Sequence, residues 1–543
     1  MRAGNINSGK ITAAATAAGR KCAGPAPLAD ALTPTRSLAL TASLTLKDPG
    51  TLKGCADARK SRLSHRFSAG LKTRLKSPLM QRLGAYATAL LIALASQGQA
   101  APIASDEPPA PALAINEQAS CDLPVLRHAA SPEQAGFSST GLKRVDQLIE
   151  ADIANGFPGA ALLIIKDGRI VKSAQYGYRQ KFAGLQPLAT PAPVERDTLF
   201  DLASNTKMYA TNFALQKLVS EGKLDVDAPV RHYLPEFTDR DGDSIRGKNS
   251  LRVRDLLQHS AGFSPDPQFH NPASAKELFS QQREKTLALI PQAPLNYQPG
   301  SKTAYSDTDY MLLGLLVERI AGQPLDDYVE QHIYAPLGLH NTRFNPLQKG
   351  FKPSQFAATE LMGNTRDGTI DFPNIRRHTL RGEVHDEKAF YSMGGVSGHA
   401  GLFSTTEDLA LLLQTMLNGG GYGDVCLFDQ QTITRFTAPS PADPTFGLGW
   451  RRNANADIQW MFGELASPQA YGHTGWTGTL TLIDPAHNLG IVLLTNKKHS
   501  PVLDPEHNSN RFAGDLFATG RYGAIATAIY EALIVTNATS AAQ

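Results

Sequence analysis

Ser204-Asn205-Thr206-Lys207 places a hydroxyl three residues before an amine. A serine hydroxyl is a poor nucleophile near neutral pH, and a lysine amine held against it in a partly desolvated place can lose its proton and serve as base. The tetrapeptide runs straight into the apolar stretch 208–219, which reads as a helix, so residues i and i+3 fall on one side of it. The helix start adds free N–H donors and positive potential near an attacked carbonyl. Ser220-Glu221-Gly222-Lys223 repeats the spacing, but Gly222 ends the helix and parts the pair, which leaves Ser204 as the candidate. The plain alternative is that Ser204 caps the helix and Lys207 is solvated.

Tyr305-Ser306-Asp307 is the second candidate element. A phenol near that lysine can pass a proton between nucleophile and leaving group, while Asp307 also reads as an N-cap for a helix beginning near Asp309. His473-Thr474-Gly475 is the third, followed by Trp476 and set among Gly472, Gly475 and Gly478, where a substrate backbone can approach a strand edge. His473 and Thr474 would hold a substrate carboxylate. The Trp476 and Ser204 N–H groups would form an oxyanion hole. The alternative for the tripeptide is a turn. His385, Asp386 and His399 match no metal-ligand spacing and read as structural, so no metal is expected. The chain has no Gly-x-Ser-x-Gly, no His-Glu-x-x-His, no phosphate-loop Gly-Lys-Ser/Thr and no Gly-x-Gly-x-x-Gly.

The elements that must carry these residues can be read from periodicity. Leu142, Val145, Leu148, Ile149 and Ile153 recur at helical spacing after Ser138-Ser139 and stop at Asn155-Gly156. Runs 160–165 and 170–175 flank Asp167-Gly168 and read as a hairpin. Helical runs such as 208–219 and 310–320 fill the middle, strand character returns at 479–483 and 491–495, and 524–534 closes as a helix. The strands at the two ends share one sheet in this reading, with a mostly helical lobe inserted between them. The sheet lobe spans about 130–203 and 435–543 and the helical lobe about 204–434.

The 543 residues are 42% apolar and 19% charged, an ordinary globular balance. Residues 1–100 hold 15 Lys/Arg against 3 Asp/Glu, and the remainder holds 38 against 47, a net of −9. That charge argues against a nucleic-acid partner and against broad adhesion to an anionic membrane. Residues 1–79 read as a basic extension or a mis-assigned start, 80–100 as a secretory signal or N-terminal anchor, 101–129 as a Pro-rich linker and 130–543 as the folded body. The apolar run 83–95 is shorter than the roughly 20 residues that span a bilayer, which favours cleavage. Membrane association would come only through that segment if uncleaved. Cys22 and Cys55 fall in residues 1–79, which leaves Cys121 in the linker and Cys426 in the body, and whether they pair is left open.

Order and spacing of the three elements, together with Phe200-Asp201-Leu202-Ala203, the segment 222–230, Leu256-Leu257-Gln258-His259-Ser260-Ala261-Gly262, Gly398-His399-Ala400-Gly401-Leu402-Phe403-Ser404 and Phe446-Gly447-Leu448-Gly449-Trp450, carry a resemblance. Over about residues 130–540 the sequence resembles the serine β-lactamases of class C and the penicillin-binding DD-peptidases and esterases of the same fold. The resemblance implies an α/β (α+β) fold, an antiparallel sheet flanked by helices plus the helical lobe, with a cleft between them. It implies acylation of Ser204, proton transfer by Lys207 and Tyr305, substrate binding by Asp307, His473, Thr474 and Gly475, and no cofactor. The implied substrate is a peptidoglycan-derived peptide ending in D-Ala-D-Ala, with β-lactams as acylating ligands and the periplasm as location. An esterase and a non-hydrolytic penicilloyl-binding sensor are the rival readings. Two positions depart from the family's motifs. Its second motif usually ends in Asn, whose amide binds the substrate's amide, where this chain has the acceptor-only Asp307. Its third often begins with Lys, where this chain has His473, whose hold on a carboxylate is expected to weaken between about pH 6 and 8.

Overall fold

The computed structural model describes residues 121–534. The readings of 1–79, 80–100 and most of the linker lie outside the described residues. Among the described residues no helix is long and apolar enough to cross a membrane.

The central sheet is built from β1 (Arg127–His128), β2 (Gly159–Lys166), β3 (Arg169–Ala183), β4 (Gln186–Pro193), β5 (Arg451–Arg452), β6 (Tyr471–Gly475), β7 (Thr479–Asp484) and β8 (Leu489–Thr495). Its order is β1-β3-β2-β8-β7-β6-β5, with β4 on β3. All pairings are antiparallel except that of β1 with β3. The β2–β3 hairpin turns through Asp167 and Gly168, both at positive φ, as an Asp-Gly hairpin requires. The chain ends meet where β8 pairs with β2, from Leu489 opposite Lys166 to Thr495 opposite Ala160.

Buried on both faces, β2 is a continuous apolar run rather than an alternating one. Ala160, Leu162 and Ile164 pack with Leu142, Val145 and Ile149 of α1 (Ser139–Ala154) and with Ile525 and Ile529 of the closing helix Gly523–Glu531. Gly141 lets these two helices touch, since a Cβ there would sit 2.7 Å from the Cα of Ala532. Ala161, Leu163 and Ile165 face the other way, into a core shared with Phe213, Leu409, Leu412 and Leu413.

The inserted lobe contains α2 (Phe213–Ser220), entered through a π-helical turn Lys207–Asn212, and α3 (Asp307–Ala321), closed by Gly322 in the left-handed conformation. A small sheet of Phe200–Asp201, Leu402–Ser404 and Arg343–Phe344 ties the lobe to the segment that carries Ser204. The lobe boundary at 434 is less clean than its sequence reading. α4 (Thr406–Leu417) lies within 204–434, yet it packs on β2 and β8 as a layer of the sheet.

The final residues of the expected linker belong to the fold. Cys121 is disulfide-bonded to Cys426, the Leu123 N–H donates to the Gly423 carbonyl at 2.9 Å, and β1 pairs with Arg169 and Ile170 of β3. The disulfide closes a loop of 305 residues in sequence, so opening it frees a long stretch of the unfolded chain. Cys426→Ser is expected to lower unfolding free energy by roughly 2–5 kcal/mol, read by urea denaturation of the oxidised proteins. A denaturation midpoint indistinguishable from the parent's would refute the pairing as a stabilising link.

Candidate active site

Ser204 sits half-buried on a one-turn 3-10 helix, Ala203–Asn205, directly after the short strand Phe200–Asp201. The approach to it is strained. Ala203 is buried at a φ of 45°, a conformation that costs a non-glycine residue about 1–3 kcal/mol and persists only where neighbours enforce it. Here they do. The Asp201 carboxylate accepts from the Ala203 N–H at 2.8 Å and from the His385 N–H at 2.6 Å. On the β7 side, Thr477 and Thr479 donate to the carbonyls of Asp201 and Leu202, and the Asn205 amide bonds Thr479 and Thr481. β6 passes so close that a Cβ on Gly475 would collide with the Leu202 carbonyl. The serine is thus clamped between the small sheet and the strand edge.

Lys207, fully buried, brings Nζ to 3.0 Å from Ser204 Oγ, 2.8 Å from Asp307 Oδ1 and 3.2 Å from the His399 carbonyl. Three acceptors answer three N–H donors, the arrangement of an ammonium. Burial pulls the Lys207 pKa down, but the Asp307 carboxylate and then Tyr305 outweigh it and the balance is upward. The expectation of a lysine that readily loses its proton therefore fails in the resting site, because Asp307 stands where an Asn would have left it uncompensated.

Asp307 does not cap its helix. The N-cap of α3 is Ser306, and the Asp307 side chain turns inward to bridge two lysines, with Oδ2 3.2 Å from Lys388 Nζ. Although burial works against ionisation, Lys207 and Lys388 hold this carboxyl well below the usual carboxylate range. Lys388 also lies 2.8 Å from Asp266 and 3.2 Å from Asp386, and despite the opposing effect of burial its pKa is raised well above that of a free lysine by Asp386, Asp307 and Asp266. Asp386 in turn contacts His399 Nε2 at 2.9 Å. The contacts close a ring: Lys207, Asp307, Lys388, Asp386, His399, and back through the His399 carbonyl to Lys207.

The ring holds two of the three residues that read as structural from the sequence, Asp386 and His399. His385 turns away to Glu360 at 2.6 Å. Asp307, Asp386 and His399 do converge, with ligand atoms within 4.8 Å of one another. The Lys388 ammonium supplies the positive charge between the two carboxylates, so the donor set already has its cation.

Tyr305 stacks between His259 and His473, with ring centroids 4.6 Å and 5.9 Å away, and Lys207 Nζ lies 4.8 Å from its ring centre. Burial raises its pKa, Lys207 pulls it back, and the net shift is upward, so the phenol keeps its proton. His473 corrects the sequence reading. Its Nδ1 is 2.7 Å from the Thr474 carbonyl, its Nε2 is buried without a partner, and its pKa is driven down to about 3, first by burial and then by Lys207. A neutral ring donating from Nδ1 presents a lone pair at Nε2, which repels a carboxylate and accepts from a hydroxyl or N–H.

Thr474, Gly475 and Trp476 line a cavity of about 400 Å³ with Ser204, Tyr305 and His473. Its cations are residues that spacing did not reveal: Arg451 of β5, paired in register with Gly472, and Lys497 and Lys498 after β8. A second hollow on the other side of Ser204 and Tyr305 is lined by Asp307, Arg366, Asp386, Glu387 and Lys388, and Trp476 borders both. Lys388 was the other residue missed. A buried carboxylate at 307 demands a second cation, but nothing in the sequence says that one 81 positions later supplies it.

The Beta-lactamase family model matches residues 145–515. The chain is 62% identical over 401 residues to a Bacillus subtilis protein named N-acetylmuramyl-L-alanine amidase, covering 74% of this chain and 91% of that protein. It is 58% identical over 410 residues to an Escherichia coli K12 protein named "Putative D-alanyl-D-alanine carboxypeptidase", covering 76% and 94%. In structure it is similar to a penicillin-binding protein homologue from Caulobacter crescentus, with a TM-score of 0.53, 22% identity, and coverage of 73% and 99%.

Two outcomes follow from the electrostatics. Because Asp307 and Lys388 offset each other, Asp307→Asn and Lys388→Met should each cut kcat/KM, while the double variant keeps more activity than the product of the two losses, a coupling of about 1–3 kcal/mol. Simple additivity in a double-mutant cycle on kcat/KM would refute the compensation. For His473 the sign is set by a depressed pKa: imidazolium exists only below about pH 3, so no proton is gained or lost on this ring between pH 5 and 8. His473→Gln should leave the shape of the pH–rate profile in that range unchanged, and loss of an inflection near pH 6.5 would contradict the assignment.

Proposed function

The chain belongs to the Beta-lactamase family and is a serine hydrolase of that family, and from that premise we propose that it cleaves the amide joining an N-acetylmuramyl group to L-alanine in peptidoglycan fragments, through an acyl-enzyme on Ser204. The observation that carries the choice of bond is Asp307. A D-Ala-D-Ala substrate has an amide on the acyl side of the bond to be cut, for which an Asn at 307 would offer an N–H donor. Asp307 has no donor, and both its oxygens are engaged by Lys207 and Lys388. A muramyl amide has a lactoyl ether at that place and needs no such partner. The name borne by the Bacillus subtilis relative supports the same bond.

The chemistry proposed respects the charge states. Ser204 Oγ attacks the lactoyl carbonyl as its proton passes to the Tyr305 oxygen and the phenol's own proton moves to the leaving nitrogen. The C–O bond forms, the C–N bond breaks, and the peptide departs as an amine. Neither a phenolate nor a neutral lysine is required, which suits a Tyr305 that keeps its proton and a Lys207 that keeps its charge. The Lys207 ammonium, 3.0 Å from Oγ, stabilises the negative charge that develops there. The Ser204 and Trp476 N–H groups are assigned to the carbonyl oxygen, and water then releases the acyl group by the reverse relay. Activity on such fragments places the enzyme in the cell envelope, and the proposal includes the periplasm and slow acylation by β-lactams.

A second reading, D-alanyl-D-alanine carboxypeptidase, is favoured by the cleft's cations. Arg451 suits a terminal carboxylate, beside Lys498, which burial brings down to about 8 and which Asp515 holds at 2.9 Å. The name of the Escherichia coli relative agrees with it.

Incubation with muramyl-L-alanyl-D-isoglutamine and with a pentapeptide ending in D-Ala-D-Ala, followed by mass spectrometry, decides between them. Release of L-alanyl-D-isoglutamine is the expected product, and Ser204→Ala should lower that rate by a factor of at least about 10³. Release of D-alanine alone would transfer the function to the second reading.

A further inference from the structure

Two of the chain's three tryptophans stand exposed, Trp460 at 48% and Trp476 at 41%, while Trp450 is fully buried. Both exposed rings line the 400 Å³ cavity that opens at Ser204 and Tyr305, a volume within the range of small-molecule sites. Trp460 is held as a fixed wall. Its short helix, Gln459–Phe462, buries Met461 and Phe462 in the core, and the Tyr522 ring lies 6.4 Å away. Trp476 is backed by Lys498, whose Nζ is 4.0 Å from its ring centre.

The polar part of the lining is Arg451, Thr474, Asn510, Lys497 and Lys498 paired with Asp515, and His473, whose buried Nε2 has no partner. An aromatic or aliphatic substituent would cover the tryptophans but leave His473 Nε2 without a donor. A carboxylate would pair with Arg451, the two lysines being already held by Asp515, but would bring no donor to Nε2. A pyranose meets both demands, because its C–H faces carry slight positive charge toward the electron-rich faces of aromatic rings and its edges carry hydroxyl and amide donors and acceptors.

We propose that this cavity is a saccharide subsite that binds the N-acetylmuramyl ring of the substrate, with Trp460 as its stacking platform and His473 Nε2 as acceptor for one of its hydroxyl or amide hydrogens. The assignment of that particular sugar rests on the muramyl-amide reading above, since the lactoyl carbonyl attacked by Ser204 is tethered to it.

The test compares muramyl-L-alanyl-D-isoglutamine with D-lactoyl-L-alanyl-D-isoglutamine, which keeps the same bond and lacks the sugar. The parent enzyme should prefer the muramyl compound by at least about tenfold in kcat/KM, and Trp460→Ala should raise KM for it by about tenfold while leaving the lactoyl compound unaffected. Trp460→Phe should recover most of that loss. Independently of turnover, the methyl glycoside of N-acetylmuramic acid should change tryptophan fluorescence in the parent, and the concentration needed for half that change should rise by about tenfold in Trp460→Ala. Equal effects of Trp460→Ala on both substrates, or absence of any preference for the sugar, overturns the subsite. If neither amide is cut but the glycoside still binds through Trp460, the subsite stands and the muramyl-amide reading falls.

Discussion

A lysine ammonium cannot be buried without acceptors for all its protons, and the site around Lys207 is organised by that demand. Its three partners come from three places in the chain: Ser204 one turn back, Asp307 a hundred residues on, and the His399 carbonyl nearly another hundred beyond. Meeting the demand with a carboxylate creates a second one, because Asp307 then carries a buried negative charge of its own. Lys388 answers that, Asp386 and Asp266 answer Lys388, and His399 closes the circuit. Each charge is tolerable only because its neighbour is present, and removing one partner from a buried pair typically costs about 3–5 kcal/mol. The ring fixes the relative positions of three otherwise independent segments of the helical lobe.

The sheet supplies the opposite constraint. Ser204 has to project from a turn whose Ala203 sits in an unfavourable backbone conformation, and β7 holds that turn through threonine hydroxyls and the Asn205 amide. Ser204 is therefore fixed from one side by neutral hydrogen bonds and from the other by ion pairs. Neutral bonds to a strand set position with little effect on proton affinity. The ion pairs set proton affinity as well, and they leave Lys207 charged and Tyr305 protonated before substrate arrives. Those two states are the ones that the relay proposed above, through the phenol, starts from.

What the sequence made legible was local. The apolar period of α1, the Asp-Gly turn between β2 and β3, and the two late strands were readable because each is written in contiguous residues. Ser204 and Lys207 were readable for the same reason. The fate of Asp307 was not: as an isolated residue at a helix start it reads as a cap, and only the tertiary fold shows Ser306 in that position and Lys388 opposite the carboxylate. His473 was misjudged because the reference pKa of an imidazole belongs to water, whereas this one lies buried beside Lys207 with Nδ1 committed to the Thr474 carbonyl. The role of Arg451 depends on the register of β5 against β6, which no spacing encodes. Residues 121–129 read as a linker because composition does not report the bond from Cys121 to Cys426.

Asp307 connects the electrostatics to substrate choice. An Asn there would leave Lys207 with one acceptor fewer in charge and would offer the substrate an N–H. The carboxylate does neither, and Lys388 keeps it from reaching outward by taking its second oxygen. In the proposed function, a chain that uses this position to hold its own lysines gives up a contact to the acyl side of a peptide and holds its substrate elsewhere. The surface available for that hold is the cavity beside Ser204, lined by Trp460 and Trp476 together with Arg451, His473 and Thr474. Such a surface is suited to a ring that is apolar on its faces and polar at its edges, and under the proposed muramyl-amide reading Asp307, which tunes Lys207, would also shift recognition from the peptide toward the sugar that bears it.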